Sequence, residues 1–378
     1  MTSPKKILIV CGEPSGDLHA SNLVKDMLSL DGSIRFFGMG GNLCRKSGVD
    51  IAFDISGLAL IGLVEVLKNI FTVGRAYRAI LKKTDAEKPD LAILVDYPGF
   101  NLRLAAELKK RSIPVVYYIS PQIWAWGKDR INIIKKCVTK ILVFFKFEED
   151  LYKTHGVDAQ FVGHPLLDTV KMSVSKDGFL KKYGFSPDKP IVALLPGSRP
   201  GEVRMLLPLM AAAAAIMKKS GADIQFAISK HPDLDMELYQ KALQPSGINA
   251  KLIEGGTYDL VGSSDLALVA SGTATLETAI IGTPLVITYK VSFGTFIAYK
   301  LVANTRFLGI VNIIADKEIA PEFLQYEATP VNIAAKLSEL IRDKSKLSAM
   351  RDELAKVKSS LGSPGASMRA ARAILTTL

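Results

Sequence analysis

Two loops, each following an apolar run, carry groups suited to binding an anion. Residues 12–17 read GEPSGD after the apolar run 7–11, and residues 197–201 read GSRPG after the apolar run 191–195. A helical pattern follows each loop. Backbone N–H groups at the start of a helix, together with the helix dipole, attract phosphate and similar anions. Both loops are therefore candidate anion sites, and Arg199 adds a guanidinium to the second of them.

A carboxylate at the end of another apolar run could act as a general base. Residues 91–95 read LAILV, and Asp96 follows them. Open parallel sheets bind ligands at the carboxyl ends of their strands, where a carboxylate can take a proton from an attacking hydroxyl. The alternative is that Asp96 caps a helix beginning near Asn101. The residues alone leave both interpretations open.

A third polar loop follows the apolar run 266–269. Gly272 permits close approach of a ligand, and Thr273 could cap the next helix or bond a phosphate, as could the preceding Ser271. Glu277 lies one helical turn beyond Thr273 on the same face, where its carboxylate could bind a ligand together with Thr273. The alternative for Glu277 is a solvated helix charge, which is the usual state of a lone glutamate.

Strand and helix patterns alternate along the whole chain, which predicts α/β architecture with parallel sheets. At 378 residues the chain is long enough for two domains. We therefore expect two doubly wound, Rossmann-like domains with a central cleft. The first should cover residues 1–165, with a C-terminal helix at 366–378 packing back on it, and the second residues 166–365.

Composition narrows the class of protein. Apolar residues make up 48% of the chain and charged residues 22%, which is typical of a globular protein. The formal net charge of +11 favours anionic partners. Three cysteines without CxxC spacing argue against a zinc site or a disulfide framework. We expect no metal, no other cofactor, no secretory leader, no membrane-spanning segment and no nucleic-acid partner.

The segment 60–75 has an apolar arc of roughly half a helical cylinder, followed by basic residues. An apolar face with a basic flank is typical of a helix lying on an anionic membrane surface. The alternative is a helix buried between the sheet and its neighbours. The residues that would contact lipid are Leu63, Val66, Leu67, Ile70 and Phe71.

Four motifs, in order and at plausible spacing, closely resemble the lipid-A-disaccharide synthase family. They read GEPSGD at 12–17, SPQIWAW at 120–126, LPGSR at 195–199 with Glu202 and Val203, and SGTATLE at 271–277. The sequences FVGHP at 161–165 and VNIIA at 311–315 fit as well. Family members often read Asp-x-Pro-Asp-Phe-Asn where this chain reads DYPGFN at 96–101. Because the second acid is absent, the catalytic role of that motif must rest on Asp96.

The resemblance implies a GT-B glycosyltransferase of the family 19 type. It would join UDP-2,3-diacylglucosamine to 2,3-diacylglucosamine 1-phosphate in a β-1,6 link and release UDP. An α-linked donor and a β product require one displacement with inversion, hence one base. The resemblance further implies Gram-negative lipid A biosynthesis and peripheral binding to the cytoplasmic face of the inner membrane. It leaves open whether the chain is a homodimer.

The resemblance also assigns the site residues. Asp96 is the expected base and Arg199 the group that stabilises the leaving UDP. UDP would be bound by Gly197, Ser198, Arg199, Ser271, Gly272, Thr273 and Glu277. The acceptor side would be lined by Glu13, Ser15, Gln122, Trp124 and Trp126. Three residues match family positions without an assigned role: His164, Asn312 and Gln325.

Two other functions are compatible with the same patterns. One is another GT-B enzyme acting on a UDP-sugar, such as a UDP-N-acetylglucosamine 2-epimerase. It would share the nucleotide site but would need no lipid surface, so the segment 60–75 argues against it. The other is a module that binds a nucleotide sugar without turnover. In that case substitution of Asp96 would change no reaction rate.

Overall fold

The computed structural model describes residues 4–55, 70–125, 127, 129–290 and 305–378. The chain divides into two compact units. Unit 1 contains residues 1–165 and 361–378, and unit 2 contains residues 166–360. Each described unit is a parallel sheet whose strands alternate along the chain with helices.

Unit 1 begins with a strand and a helix and repeats that order. Its strands are β1 (Lys6–Cys11), β2 (Arg35–Gly40), β3 (Val49–Asp54), β4 (Leu91–Val95), β5 (Val115–Tyr118), β6 (Lys140–Val143) and β7 (Ala159–Phe161). Its helices before the crossing to unit 2 are α1 (Pro14–Leu30), α2 (Asn42–Lys46), α3 (Ile70–Glu87), α4 (Pro98–Lys110), α5 (Arg130–Cys137) and α6 (Lys146–Thr154).

The sheet of unit 1 has the strand order β3-β2-β1-β4-β5-β6-β7. Its central strands are fully buried, as expected for parallel strands covered on both faces. The order reverses between β1 and β4, where Cys11 lies opposite Val95. Ligands of open α/β sheets bind at such a reversal, beyond the carboxyl ends of the strands. The loops carrying Glu13 and Asp96 therefore leave the sheet side by side.

Unit 2 repeats this plan. Its helices are α7 (Leu166–Thr169), α8 (Lys176–Tyr183), α9 (Pro200–Lys219), α10 (Met236–Leu243), α11 (Thr257–Ser263), α12 (Thr273–Ile281), α13 (Ile310–Ala315), α14 (Pro330–Arg342) and α15 (Lys344–Ser360). Its strands are β8 (Ile191–Leu195), β9 (Gln225–Lys230), β10 (Lys251–Glu254), β11 (Leu266–Ala270), β12 (Leu285–Tyr289) and β13 (Glu322–Leu324).

The strand order in unit 2 is β10-β9-β8-β11-β12-β13, again parallel throughout the described residues. The reversal falls between β8 and β11, where Leu195 lies opposite Val269. The loop with Arg199 and the loop with Gly272 therefore leave this sheet as neighbours. Unit 2 thus has its own site for a ligand at the carboxyl edge.

The last helix, α16 (Ala366–Leu375), belongs to unit 1 and packs on α1. Arg369 fixes it, because Nε donates to the carbonyl of Val162 at 2.8 Å and Nη1 to the carbonyl of Pro364 at 2.8 Å. The backbone N–H of His164 donates to the carbonyl of Leu361 at 3.0 Å. These bonds join the two chain segments of unit 1 where they pass to and from unit 2.

Among the residues described, one helix, α9, is long and apolar enough to span a membrane by length and composition. Half of its apolar window is buried, and it packs on α10 and α14. A core helix of a folded domain has the same properties.

Most of the predicted strands and helices match elements of the structure, and the mismatches lie at edges. The short strands β3, β7 and β13 have no counterpart among the predicted strands, since edge strands of three to six residues carry little periodic signal. Near the end of unit 2 the chain forms two helices, α14 and α15, with Asp343 between them.

Candidate active site

Asp96 lies on a strained turn directly after β4. Asp96 and Tyr97 have φ angles of 48° and 47°, in the left-handed region that residues other than glycine rarely adopt. Two side chains hold this backbone: the Tyr117 hydroxyl donates to the Asp96 carbonyl at 2.6 Å, and Asn101 Nδ2 donates to it at 2.8 Å. Strain of this kind persists only where surrounding contacts enforce it, and it is frequent at active sites.

Asp96 does not cap the following helix. Helix α4 begins at Pro98 with Tyr97 as its N-cap, and no side chain bonds its first turn. The capping interpretation of Asp96 is therefore wrong. Its carboxylate is available for other chemistry, whereas the helix start is secured by the backbone bond from Asn101 to Tyr97.

The environment of Asp96 is suited to a base. Burial and the neighbouring negative charge of Glu13 raise the pKa of Asp96 to about 6. A catalytic base is most effective when its pKa lies near the working pH. Gly12 makes the arrangement possible, because a Cβ at that position would overlap the ring of Tyr97.

The loop of residues 12–17 places its acids in different environments. Glu13 is partly exposed at the switch point and Ser15 is exposed in the first turn of α1. Asp17 is buried, and its carboxylate accepts backbone N–H groups of Gly41, Leu43 and Cys44 at 2.7–3.1 Å. Asp17 therefore binds the start of α2 and does not cap α1.

The loop after β5 carries the SPQIWAW motif. Gln122 is exposed, while Trp124 is partly buried and donates from Nε1 to Glu148 Oε1 at 3.0 Å. Trp126 lies outside the described residues. The Asp96 N–H donates to the Tyr118 carbonyl at 3.0 Å, so the loop begins beside the Asp96 turn. Glu148 was not among the predicted site residues.

His164 lies against an aromatic group at the same edge. Its ring is 5.3 Å from that of Phe144 and 5.2 Å from that of Phe145, and Phe144 also contacts His19. Burial, together with His19, lowers the pKa of His164 to about 3. The imidazole is therefore neutral at physiological pH, which suits packing and hydrogen bonding better than binding an anion.

In unit 2, the loop of residues 197–199 is folded around a carboxylate. Glu202 Oε2 accepts the N–H of Ser198 at 3.1 Å and that of Arg199 at 3.3 Å, and Arg199 Nη1 lies 3.2 Å from Oε1. Gly197 has a φ of 108°, and a Cβ there would overlap Glu202. The loop therefore forms an anion cradle that its own glutamate occupies.

The neighbouring loop supplies a second group. Gly272 is the N-cap of α12 with no side-chain cap, and Thr273 is exposed at its first position, as Ser271 partly is before it. Thr273 therefore does not act as the N-cap. Glu277 is partly buried, and its Oε1 accepts the Tyr258 hydroxyl at 2.9 Å. Burial raises the pKa of Glu277.

The surroundings of Glu277 test whether it is a solvated charge on the helix surface. Because the carboxylate is partly buried and accepts a hydrogen bond from Tyr258, Glu277 is not a fully solvated helix charge. Tyr258 was missed by the sequence analysis, since nothing in its neighbourhood along the chain marks it as the partner of an acid.

The structure gives Asn312 a role in folding. Its side chain is buried and donates to Ala320 O and Glu322 Oε1, both at 2.7 Å, and accepts the N–H groups of Ile319 and Ala320 at 2.9 Å. Asn312 thus ties α13 to the chain entering β13. Gln325 follows β13 in a left-handed conformation, with φ 53°.

Only part of the predicted membrane segment can be placed. Phe71, in the first turn of α3, is 84% exposed, and Arg75 and Arg78 on the same helix are exposed. Leu63, Val66 and Leu67 lie outside the described residues, as does the side chain of Ile70. Farther along α3, Ala76 and Ile80 are buried.

One group of potential metal ligands occurs in the described residues. Cys11, Asp17 and Cys44 have ligand atoms within 4.8 Å of one another, but the Asp17 carboxylate is engaged by three backbone N–H groups.

Comparison with known proteins identifies the family. A family model described as lipid-A-disaccharide synthetase matches residues 7–374. The chain belongs to this family. It is 44% identical to the lipid-A-disaccharide synthase of Syntrophus aciditrophicus, covering 99% of this chain and 98% of that protein. It is 39% identical to that of Myxococcus xanthus, covering 100% and 99%.

Solved structures confirm the fold. The chain is similar to a putative UDP-N-acetylglucosamine 2-epimerase from Listeria monocytogenes, with TM-score 0.66, 14% identity, and coverage of 98% and 96% of the two chains. It is also similar to MurG of Acinetobacter baumannii, with TM-score 0.60, 14% identity, and coverage of 99% and 100%. The GT-B fold is thus confirmed. The epimerase likeness concerns the fold alone, and the family match does not favour an epimerase.

Proposed function

We propose that this chain is an inverting glycosyltransferase that joins UDP-2,3-diacylglucosamine to 2,3-diacylglucosamine 1-phosphate through a β-1,6 link. Membership in the lipid-A-disaccharide synthetase family supports the lipid A disaccharide as product. We assign the acceptor to unit 1 and the donor to unit 2. The observation that carries the mechanism is the buried Asp96 carboxylate on its strained turn, with a pKa raised to about 6.

Asp96 acts as the general base. Its carboxylate takes the proton of the acceptor 6-hydroxyl while the oxygen attacks the anomeric carbon of the donor. The bond from that carbon to the diphosphate breaks in the same step, and UDP leaves with the electron pair. One displacement inverts the anomeric centre, so an α-linked donor gives a β product. A base of this kind contributes about 10²–10⁴ to the rate.

The leaving UDP is stabilised at the carboxyl edge of unit 2. The N–H groups of Ser198 and Arg199 and the Arg199 guanidinium bind the diphosphate, whose charge grows as the bond breaks. The start of α12, at Gly272 and Thr273, adds a helix N-terminus next to that loop. Glu277, oriented by Tyr258, accepts the ribose hydroxyls.

The acceptor lies at the carboxyl edge of unit 1. The segments after β1 and β5 leave the sheet at this edge, near the Asp96 turn. They carry Glu13, Ser15, Gln122 and Trp124. Trp126 is assigned to the same side from the sequence. Polar groups would bind the sugar hydroxyls, whereas the indole of Trp124 offers a flat apolar surface to the sugar ring or an acyl chain.

One assay tests the proposed reaction. Purified protein is mixed with UDP-2,3-diacylglucosamine, with and without 2,3-diacylglucosamine 1-phosphate, and the released UDP and the disaccharide are measured. We expect UDP and disaccharide in equal amounts, and only when both substrates are present. Interconversion of UDP-N-acetylglucosamine and its C2 epimer would indicate an epimerase. UDP binding without any product would indicate a non-catalytic module.

We further propose that unit 1 binds the cytoplasmic face of the inner membrane peripherally. The acyl chains of both substrates reside in a bilayer, and the exposed Phe71 with Arg75 and Arg78 supports a lipid contact at the start of α3. The segment before α3, with Leu63, Val66 and Leu67, would extend this contact.

Binding to anionic vesicles tests the membrane surface. Phe71→Ser should reduce the bound fraction and leave the melting temperature unchanged, because the exposed ring contributes to partitioning and not to the core. Val331→Ser is the matched control, since Val331 is 65% exposed on unit 2. High salt should release part of the wild-type protein, because it screens the basic residues. Equal loss of binding in the two variants would contradict the assignment.

A further inference from the structure

Helix α6 has three consecutive acids near its start, Glu148, Glu149 and Asp150, and the first of them differs from the other two in its contacts. Glu149 and Asp150 both pair with Lys146, at 2.6 and 2.7 Å, as surface acids commonly do. Glu148 is 3% exposed, and among the ion pairs of the described residues it takes part in none. Burying a carboxylate without a cation is costly, so its contacts require an explanation.

The contacts of Glu148 lead to the loop after β5. Its Oε1 accepts the Trp124 Nε1–H at 3.0 Å. The neighbouring Phe147 packs its ring edge-on to the Trp124 ring, with centroids 5.5 Å apart. One turn farther along α6, the buried Tyr152 hydroxyl donates to the Pro121 carbonyl at 2.8 Å. Three side chains of α6 therefore contact the loop that carries Trp124.

The described part of this loop, residues 120–125, has few backbone hydrogen bonds that would determine its shape. Within residues 120–125 the backbone bonds are short-range turns, from Ile123 to Pro121 and from Ala125 to Gln122. At the start of this loop, Ile119 has a left-handed backbone conformation, with φ 68°. It follows β5, which pairs with β4, the strand that ends just before Asp96. The orientation of the Trp124 side chain is thus set by α6, above all by Glu148, which provides the acceptor of its indole N–H.

We propose that Glu148 is a positioning residue for the acceptor substrate, which acts by fixing Trp124 in the loop that begins beside the Asp96 turn. The inference rests on the proposed function in assigning Trp124 to the acceptor side. Burial raises the pKa of Glu148 to about 7, although hydrogen bonds from Trp124, from Ser120 and from the backbone of Phe144 and Phe145 oppose this rise.

Tryptophan fluorescence tests the contact without any reaction. The chain has two tryptophans, so a Trp126→Phe background leaves Trp124 as the single emitter. In that background Glu148→Leu removes the hydrogen-bond acceptor, and we expect red-shifted emission with easier quenching by acrylamide. Glu148→Gln keeps a carbonyl oxygen and should leave the emission unchanged. Identical emission from the Leu variant and its parent would overturn the contact.

Steady-state kinetics test the consequence, in the protein with both tryptophans. Glu148→Leu should raise the acceptor KM about tenfold, the usual effect of losing a hydrogen bond to a charged group, and leave the donor KM and the UDP Kd unchanged. Glu148→Gln should stay within about twofold of wild type. In a Trp124→Phe background the effect of Glu148→Leu should largely vanish, because the two residues act through one bond.

The neighbouring acid supplies the control for helix stability. Glu149 pairs with Lys146 and Lys153 and accepts the N–H of Phe161 at 3.1 Å, and none of these partners, which are its partners among the described residues, belongs to the loop. Glu149→Gln should lower the melting temperature and leave the acceptor KM unchanged. Should Glu148→Leu not fold, Glu148→Asp keeps the charge and withdraws it by one methylene, and the same rise in acceptor KM is expected.

The outcomes separate this inference from the proposed function. If wild type forms the disaccharide and the folded Glu148 variants keep the wild-type acceptor KM, the positioning role is wrong and the function stands. If wild type forms no disaccharide, the proposed function fails, and with it the assigned role toward the acceptor. The fluorescence comparison then still decides whether Glu148 holds Trp124.

Discussion

The two sheets present their reactive groups at equivalent edges but hold them in opposite ways. In unit 1 the Asp96 carboxylate is mostly buried, on a backbone fixed by Tyr117 and Asn101. In unit 2 the Arg199 side chain is 61% exposed and paired with Glu202. The base is therefore preformed, whereas the groups for the diphosphate are held by an internal acid. A preformed base needs no rearrangement on binding, while the anion cradle must exchange one carboxylate for another anion.

Asp96→Asn tests the preformed base and should have the largest effect. The amide keeps the size and the burial of the side chain but cannot take the proton. We expect kcat to fall by about 10²–10⁴ while UDP binding is unchanged. The measurement is disaccharide formation at saturating substrates, with UDP affinity from calorimetry. A variant retaining more than about a tenth of the wild-type rate would remove Asp96 from the proton transfer.

The pH dependence of kcat, compared between wild type and Asp96→Asn, is a further test of the base. With a pKa raised to about 6, Asp96 is ionised and active above that pH and protonated below it. Wild-type kcat should therefore fall as the pH drops through 6. The phosphate of the acceptor titrates in the same range, but it does so equally with both proteins. The drop in wild type that is absent from Asp96→Asn is thus the contribution of the base.

Arg199→Ala tests the exposed cation of unit 2. The diphosphate is charged in the ground state and more so as UDP departs, so both UDP affinity and turnover should fall. Loss of a charge-assisted bond costs about 1.5–3 kcal/mol, or roughly 10- to 100-fold in the UDP Kd. Arg204→Ala, which removes an exposed charge from the same helix, is the control. Equal Kd values for Arg199→Ala and wild type would show that the cradle works without the guanidinium.

The free energy of unfolding should show how much the ionised Asp96 carboxylate destabilises the folded state. The folded pKa of Asp96, about 6, lies above its ordinary value of 3.8, so the protonated form is favoured in the folded state. This contribution to stability is present below pH 4 and is lost as the pH rises through 6. At pH 8, Asp96→Asn should therefore be more stable than wild type, by up to about 3 kcal/mol.

Denaturant unfolding at two pH values measures this difference. We expect a higher unfolding midpoint for the Asn variant at pH 8 and a small difference at pH 4. The buried Glu148, whose pKa burial also raises, is present in both proteins and cancels from the comparison. A less stable Asn variant at pH 8 would mean that the ionised Asp96 is stabilised in the fold after all.

The sequence predicted the parts of both edges that depend on local order along the chain. The apolar runs of β1, β4, β8 and β11, each followed by a polar loop, placed Glu13, Asp96, Arg199 and Gly272 at strand ends. Parallel pairing then brings those loops together in pairs, because register joins Cys11 to Val95 and Leu195 to Val269. Periodicity and strand order are sufficient for this part of the site.

What the sequence could not predict are the partners that arrive from distant segments. Glu148 lies in an acidic first turn that is typical of an exposed helix start, and only packing shows that it holds Trp124, 24 residues earlier. Tyr258 reaches Glu277 across 19 residues, from a different helix. Asn312 matched the family without a physical role until its four hydrogen bonds were seen. Such pairs leave no periodic signal.

The anion cradle of unit 2, which Glu202 occupies, leads to the prediction with the smallest expected effect. It distinguishes competition between Glu202 and the diphosphate from a role of Glu202 in ordering the loop. Glu202 accepts the N–H groups of Ser198 and Arg199 and pairs with the guanidinium, and these are the groups assigned to the diphosphate. If the carboxylate competes with the diphosphate, Glu202→Gln should bind UDP about threefold to tenfold more tightly, since the neutral amide holds the guanidinium less strongly. Calorimetry at low salt measures this change, which should shrink at high salt.

A matched variant separates competition from net charge. Glu237→Gln makes the same change in charge on an exposed acid of α10, with Glu237 paired to Lys241, and should leave the UDP Kd unchanged. If Glu202→Gln instead binds UDP more weakly, the glutamate orders the loop and must remain in place when the ligand binds. The reactive groups of both sheets would then be preformed. The two edges would differ only in that Asp96 is mostly buried whereas Arg199 is exposed. Tighter binding would show that unit 2 releases an internal anion each time it takes up its donor.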